Sequence, residues 1–111
     1  MANLKLIVNN EINKTDIFFN KKELKLILNL YAQMVSGGEW KDYGLSISNK
    51  QVSFSVFKNA TEKALYKICK NFNPNNKNLK YLITDTNSNI LKNSSDLKIL
   101  LKNTNWKKLK K

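Results

Sequence analysis

Apolar residues recur at Leu24, Ile27, Leu28, Tyr31, Met34 and Val35. This i, i+3, i+4, i+7 spacing turns one face of an α-helix toward a core. Leu26 and Leu30 widen the stripe, so the helix is predicted to lie across a sheet with one flank also covered. Asn20 is a preferred N-cap residue, and Glu23, three positions on, can complete a capping box. Glu23 also sets a negative charge against the positive end of the helix dipole. Gly37 and Gly38 supply a left-handed C-terminal cap.

Elsewhere the period shortens to two. Leu4–Val8 and Asp16–Phe19 each predict a short strand, with turn-forming Asn9, Asn10 and Asn13 between them. Gly44–Ser48 and Val52–Lys58 alternate: Leu45 and Ile47 share one face, and Val52, Phe54 and Val56 share another. Asn49-Lys50-Gln51 between them predicts an antiparallel hairpin. Ala64–Lys70 also reads as a strand, although a short helix from Thr61 competes, because Leu65, Ile68 and Cys69 fit helical spacing too. Asn71–Asn78 holds the single Pro and breaks the chain. Leu79–Asp85 and Ile90–Lys92 predict a second hairpin around Thr86-Asn87-Ser88-Asn89. Ser94 or Ser95 can cap a last helix, with Asp96 in its first turn and Leu97, Leu100 and Leu101 buried. The expected order is β–α–β–β–β–β–β–α. Strands joined by short turns predict an α+β fold of two layers: an antiparallel β-sheet with two helices packed on one face.

The 111 residues suit a single domain, 1–111, with residues 104–111 a flexible basic tail. No apolar run approaches the length needed to span a bilayer, so no membrane association is expected. The start of the chain lacks a small-residue cleavage pattern, which predicts no secretory leader. One Cys, Cys69, fits a reducing, cytoplasmic setting. The net charge is +12, and all 20 cationic residues are Lys. Such a field attracts polyanions. The wealth of Lys, Asn and Ile is equally what AT-rich codons produce, and the absence of Arg, the better bidentate phosphate ligand, favours that origin.

The chemistry is bounded mostly by what is missing. There is no His, which removes the commonest general base and metal ligand, and one Cys cannot build a zinc site. Gly37, Gly38 and Gly44 fit no phosphate-binding loop. Cofactor, metal and catalytic residues are therefore expected to be none, and the protein is not expected to be an enzyme. The turn after the helix carries Glu39, Trp40, Asp42 and Tyr43. Large aromatics beside acids at a helix end mark a binding site for a protein partner, since Trp and Tyr dominate interface energetics. The competing reading folds Trp40 and Tyr43 back over the helix end, with Glu39 paired to a Lys and Asp42 pinning the turn. A second function class is non-specific nucleic-acid binding, with Trp106 stacking on a base and Lys107, Lys108, Lys110 and Lys111 tracking phosphates. Self-association through a sheet edge is the third. Cys69 is either a buried small hydrophobe or a thiol activated by Lys67 and Lys70.

Over Phe18–Leu101 the chain resembles a small alphaproteobacterial family, a domain of unknown function. The likeness rests on Phe18 and Phe19, the helix start Lys21–Leu24, the Leu-Asn-Leu-Tyr of Leu28–Tyr31, and the Gly-Glu-Trp-Lys-Asp-Tyr of Gly38–Tyr43. Val52–Phe57 and Ala64–Lys70 match strands of the family, which favours a strand over a helix at Ala64–Lys70. Lys stands where the family usually has Arg, and Cys69 where an acid is common. The resemblance implies a cytoplasmic bacterial protein and no mechanism. The expected function is a small binding or regulatory module, monomeric or homodimeric, that contacts a protein through Glu39–Tyr43.

Overall fold

The computed structural model describes residues 18–59 and 63–106. The strand expected at Leu4–Val8, residues Asp16 and Ile17, and Lys107, Lys108, Lys110 and Lys111 lie outside the described residues. The described chain runs α1 (Lys21–Ser36), β1 (Asp42–Ile47), β2 (Gln51–Phe57), β3 (Tyr66–Asn71), a 3-10 turn (Lys77–Leu79), β4 (Tyr81–Thr84), β5 (Ile90–Ser94) and α2 (Leu97–Asn103). The strands form a five-stranded antiparallel meander in the order β1-β2-β3-β4-β5. With α1 and α2, this is the two-layer α+β fold expected.

Register sets the core. Phe54 stands opposite Leu45 on one side and Ile68 on the other, and Ile68 stands opposite Ile83. Flanking rows hold Val52 with Lys70 and Tyr81, and Val56 with Tyr66. Alternation therefore gathers one apolar face, and Phe54, Ile68, Ile83, Val52 and Val56 are fully buried on it. Each such side chain contributes roughly 1.5–3 kcal/mol by leaving water. Ile27 of α1 and Leu97, Leu100 and Leu101 of α2 close this core.

Local chemistry explains the boundaries. The capping box forms as expected: the Asn20 side chain accepts from the Glu23 N–H at 2.8 Å, and Glu23 Oε1 accepts from the Asn20 N–H at 2.7 Å. At the other end only Gly38 is left-handed, at φ +77°, while Gly37 has φ −83°. The Glu39 N–H donates to Met34 O and the Gly38 N–H to Val35 O, the paired bonds of a Schellman motif. One left-handed residue suffices, which corrects the expectation for Gly37.

Other boundaries shift. Phe18 and Phe19 are not in a strand; the chain passes straight from them into the N-cap, and Phe18 O accepts from Lys70 Nζ instead of from a neighbouring strand. The first hairpin strand begins at Asp42, two residues earlier than expected, and takes in Tyr43. Ser48 Oγ accepts from the N–H groups of Lys50 and Gln51 and builds the turn to β2. Ala64–Lys70 resolves as the strand β3, Tyr66–Asn71. Asp96, and not Ser94 or Ser95, is the N-cap of α2, its carboxylate accepting from the Ile99 N–H at 3.1 Å.

Candidate functional site

The turn Gly38–Tyr43 divides into a buried half and an exposed half. Trp40 is 1% exposed, so of its two readings the one that folds it back over the helix end holds, and it is not an exposed anchor. Its N–H is drawn back to Met34 O, and its indole meets the Trp106 ring edge-on at 5.3 Å. Trp106 also packs on Tyr66 at 5.7 Å and is buried, so it is not presented for stacking on a base. Thr104 is buried as well, its hydroxyl donating to Leu100 O at 2.6 Å. The start of the expected tail, Thr104–Trp106, is thus packed onto the core, because two indoles gain more by covering each other than by facing water. The lysines meant to act with Trp106 lie outside the described residues.

Tyr43 is the exposed member. Its ring stacks on Phe54 at 4.9 Å and 5°, and the Tyr31 ring meets it edge-on at 5.2 Å. The Asp42 carboxylate accepts from the Tyr43 N–H at 2.8 Å, so Asp42 pins the backbone. Glu39 is half-buried, and its backbone N–H caps α1. Burial and the nearby Asp42 raise the Tyr31 phenol above its ordinary pKa.

Tyr43 is one end of a larger surface. Leu45 and Ile47 follow it on the same face of β1 and are 49% and 57% exposed. Leu24, Leu28, Tyr31 and Val35 share one flank of α1 by helical spacing, and the Tyr31–Tyr43 contact turns that flank toward β1. Leu28 and Val35 are exposed too. The result is an exposed apolar surface along β1, with the Tyr31 flank of α1 at its Tyr43 end. Sequence reasoning put Leu45 and Ile47 on one face but could not see that they would stay exposed.

The sequence also concealed a buried polar cluster. Lys70, on the apolar face of β3, places Nζ 2.9 Å from Glu23 Oε1 and 2.8 Å from Phe18 O. The Tyr81 hydroxyl donates to Glu23 Oε2. Burial pushes the Glu23 carboxyl up, but hydrogen bonds from Tyr81, Lys70 and the Asn20 backbone outweigh it and hold its pKa below the ordinary value. Burial, then the Glu23 carboxylate, drive the Tyr81 phenol well above its ordinary range. The available signal was Lys70 falling in phase with Tyr66 and Ile68. Cys69 points to the opposite sheet face and is buried; burial raises its pKa against smaller lowering by Lys67 and Thr84, so it reads as packing and not as an activated thiol.

Among the described residues no group of three or more His, Cys, Asp or Glu could hold a metal ion. Nor is any described helix long and apolar enough to cross a membrane. No curated protein and no solved structure matches the chain. A family described as "Protein of unknown function (DUF2794)" matches residues 17–101, and with that span covered the chain belongs to this family.

Proposed function

We propose that the chain is a protein-binding module, and that its contact surface is the exposed apolar face of β1, with Tyr43 at one end. The observation that carries this reading is the exposure of Leu45 and Ile47 on the same sheet face that elsewhere forms the core. Contiguous apolar surface on a small protein is costly to leave in water and is characteristic of interaction sites. The turn Glu39–Tyr43 keeps a part in this proposal through Asp42 and Tyr43, while Trp40 supports the surface from beneath.

The role proposed is binding and not catalysis: the sequence has no His, and the buried Glu23 is saturated by Lys70, Tyr81 and Asn20. The buried thiol of Cys69 supports a reducing, cytoplasmic setting, and the resemblance supports an alphaproteobacterial one. A nucleic-acid role through Trp106 has less support, since that indole is packed between Trp40 and Tyr66.

The test is site-specific photo-crosslinking in cells that express the protein. A photoreactive residue replaces Leu45 in one variant and the exposed Ile99 of α2 in another. A discrete adduct from position 45, absent from position 99 and competed by the unmodified protein, is the expected result. Equal adducts from both positions, or none, would overturn the reading.

A further inference from the structure

The two edges of the sheet are not built alike. At β5 the pairing with β4 is irregular between Ile83 and Thr84, and the strand carries Lys92. Asn93 Nδ2 donates to Asn78 O, which ties that strand to the loop beside it. Bulges, lysines and covering loops are the devices that keep an edge from pairing. Among the described residues, Asp42–Ile47 holds no Lys, no Pro and no break in register with β2.

The phase of β1 can be assigned. Ser48 donates its N–H to Gln51 O at 2.8 Å, and the register pairs Ser46 with Ser53 and Gly44 with Ser55. In an antiparallel ladder alternate residues exchange bonds with the neighbour. Gly44, Ser46 and Ser48 therefore turn their N–H and C=O groups to β2, whereas Tyr43, Leu45 and Ile47 turn theirs outward. The Tyr43 N–H confirms the phase, because it is taken by the Asp42 carboxylate and not by β2. Leu45 and Ile47 thus offer an outward N–H, an outward C=O and an exposed apolar side chain at the same positions.

The charges around this edge are mostly positive, with exposed Asp42 at the start of β1 and half-buried Glu39 before it as the acids. Lys41 precedes β1 and Lys50 follows its turn, both exposed. Helical spacing sets Lys21 and Lys25, also exposed, on the rim of the α1 flank that carries Leu24, Leu28 and Val35. A second copy laid antiparallel on β1 would bring Lys41 of each chain toward Lys50 of the other, on top of a net charge of +12 on each. An acidic partner meets attraction at the same places.

We propose that β1 accepts an extended segment of an acidic partner protein as a sixth strand, its apolar side chains lying over Leu45 and Ile47 and its carboxylates facing Lys21, Lys25, Lys41 and Lys50. This is strand addition, in which main-chain bonds give affinity and alternate side chains give specificity. It rests on the protein-binding reading above and names the class of partner.

The probe is a blocked peptide of alternating Glu and Val, titrated into isotope-labelled protein at low salt, with a Lys and Val peptide as control. Amide shifts confined to β1 and the α1 flank are expected. Binding should be at least about tenfold weaker for the Lys peptide and should weaken as salt rises. Leu45→Asp should abolish binding while Ile99→Asp leaves it, the amide spectrum of each variant showing a retained fold. Equal binding of both peptides, or shifts elsewhere, would overturn the proposal. So would a sedimenting dimer with protected Leu45 and Ile47 amides, which assigns the edge to a second copy. Protection of those amides in the monomer would assign it to residues 1–17 of the same chain and overturn it too. A specific crosslink from position 45 without peptide binding would sink the acidic strand and leave the binding module standing.

Discussion

Lys70 Nζ and Glu23 Oε1 stand 2.9 Å apart across 47 residues of sequence, with side chains 5% and 8% exposed. The pair fixes the N-terminus of α1 over the row Val52, Lys70, Tyr81. Glu23 serves twice through Oε1, which closes the capping box and neutralises a buried ammonium. Removing one partner leaves the other buried and uncompensated. Glu23→Gln and Lys70→Met should each cost about 3–5 kcal/mol in urea unfolding. Exchanging both residues for Leu and Met should recover a good part of that loss, and the double-mutant cycle gives the coupling directly.

The same carboxylate makes stability depend on acid. Its folded-state pKa is depressed, so the unfolded chain binds the proton more readily. The contribution is fully present above the unfolded value, about 4.3, and is lost as pH falls through the lower folded value. Denaturation midpoints should therefore drop below about pH 4, with a shallower acid limb in Glu23→Gln. Tyr81 behaves oppositely: its raised pKa stabilises below the unfolded value of about 10 and is lost as pH rises further. Tyr81→Phe should flatten the alkaline limb.

Trp40 and Trp106 should behave as core residues. Trp40→Ala should cost about 3–5 kcal/mol, read from chemical unfolding, as large-to-small changes in a packed interior do. Their edge-to-face contact adds about 0.5–1.5 kcal/mol of coupling, measurable by the double variant. A Trp40→Ala protein of unchanged stability would show that the indole leaves the core in solution.

Cys69 should resist modification while the protein is folded. It is buried with a raised pKa, so thiolate and access are both scarce. Alkylation should run at least about a hundredfold slower in buffer than in denaturant, limited by opening of the sheet. Rapid labelling of the native protein would contradict the placement of β3.

Much of the architecture was legible because it is local. The spacing from Leu24 to Val35, the Asn20–Glu23 cap and the alternation through Val52–Val56 each settle within a few residues which face is apolar and where an element starts. These signals determined a helix, an antiparallel sheet and a two-layer fold. They also marked Asp42 as a turn-pinning residue, since its carboxylate bonds the adjacent N–H.

What they left open depends on neighbours far along the chain. Trp40 reads as either a partner anchor or a cover for the helix end until Trp106, from beyond α2, packs against it. Lys70 reads only as a neighbour of Cys69 until Glu23 and Tyr81 close around it. Leu45 and Ile47 read only as one face of a strand until the register sets them beside Phe54 and Val52 and they are found exposed. Periodicity assigns a residue to a face, and local bonds assign it to an element. Only the packing of one layer on another decides whether that face is buried or offered to a partner, because burial is a property of the covering surface and not of the residue covered.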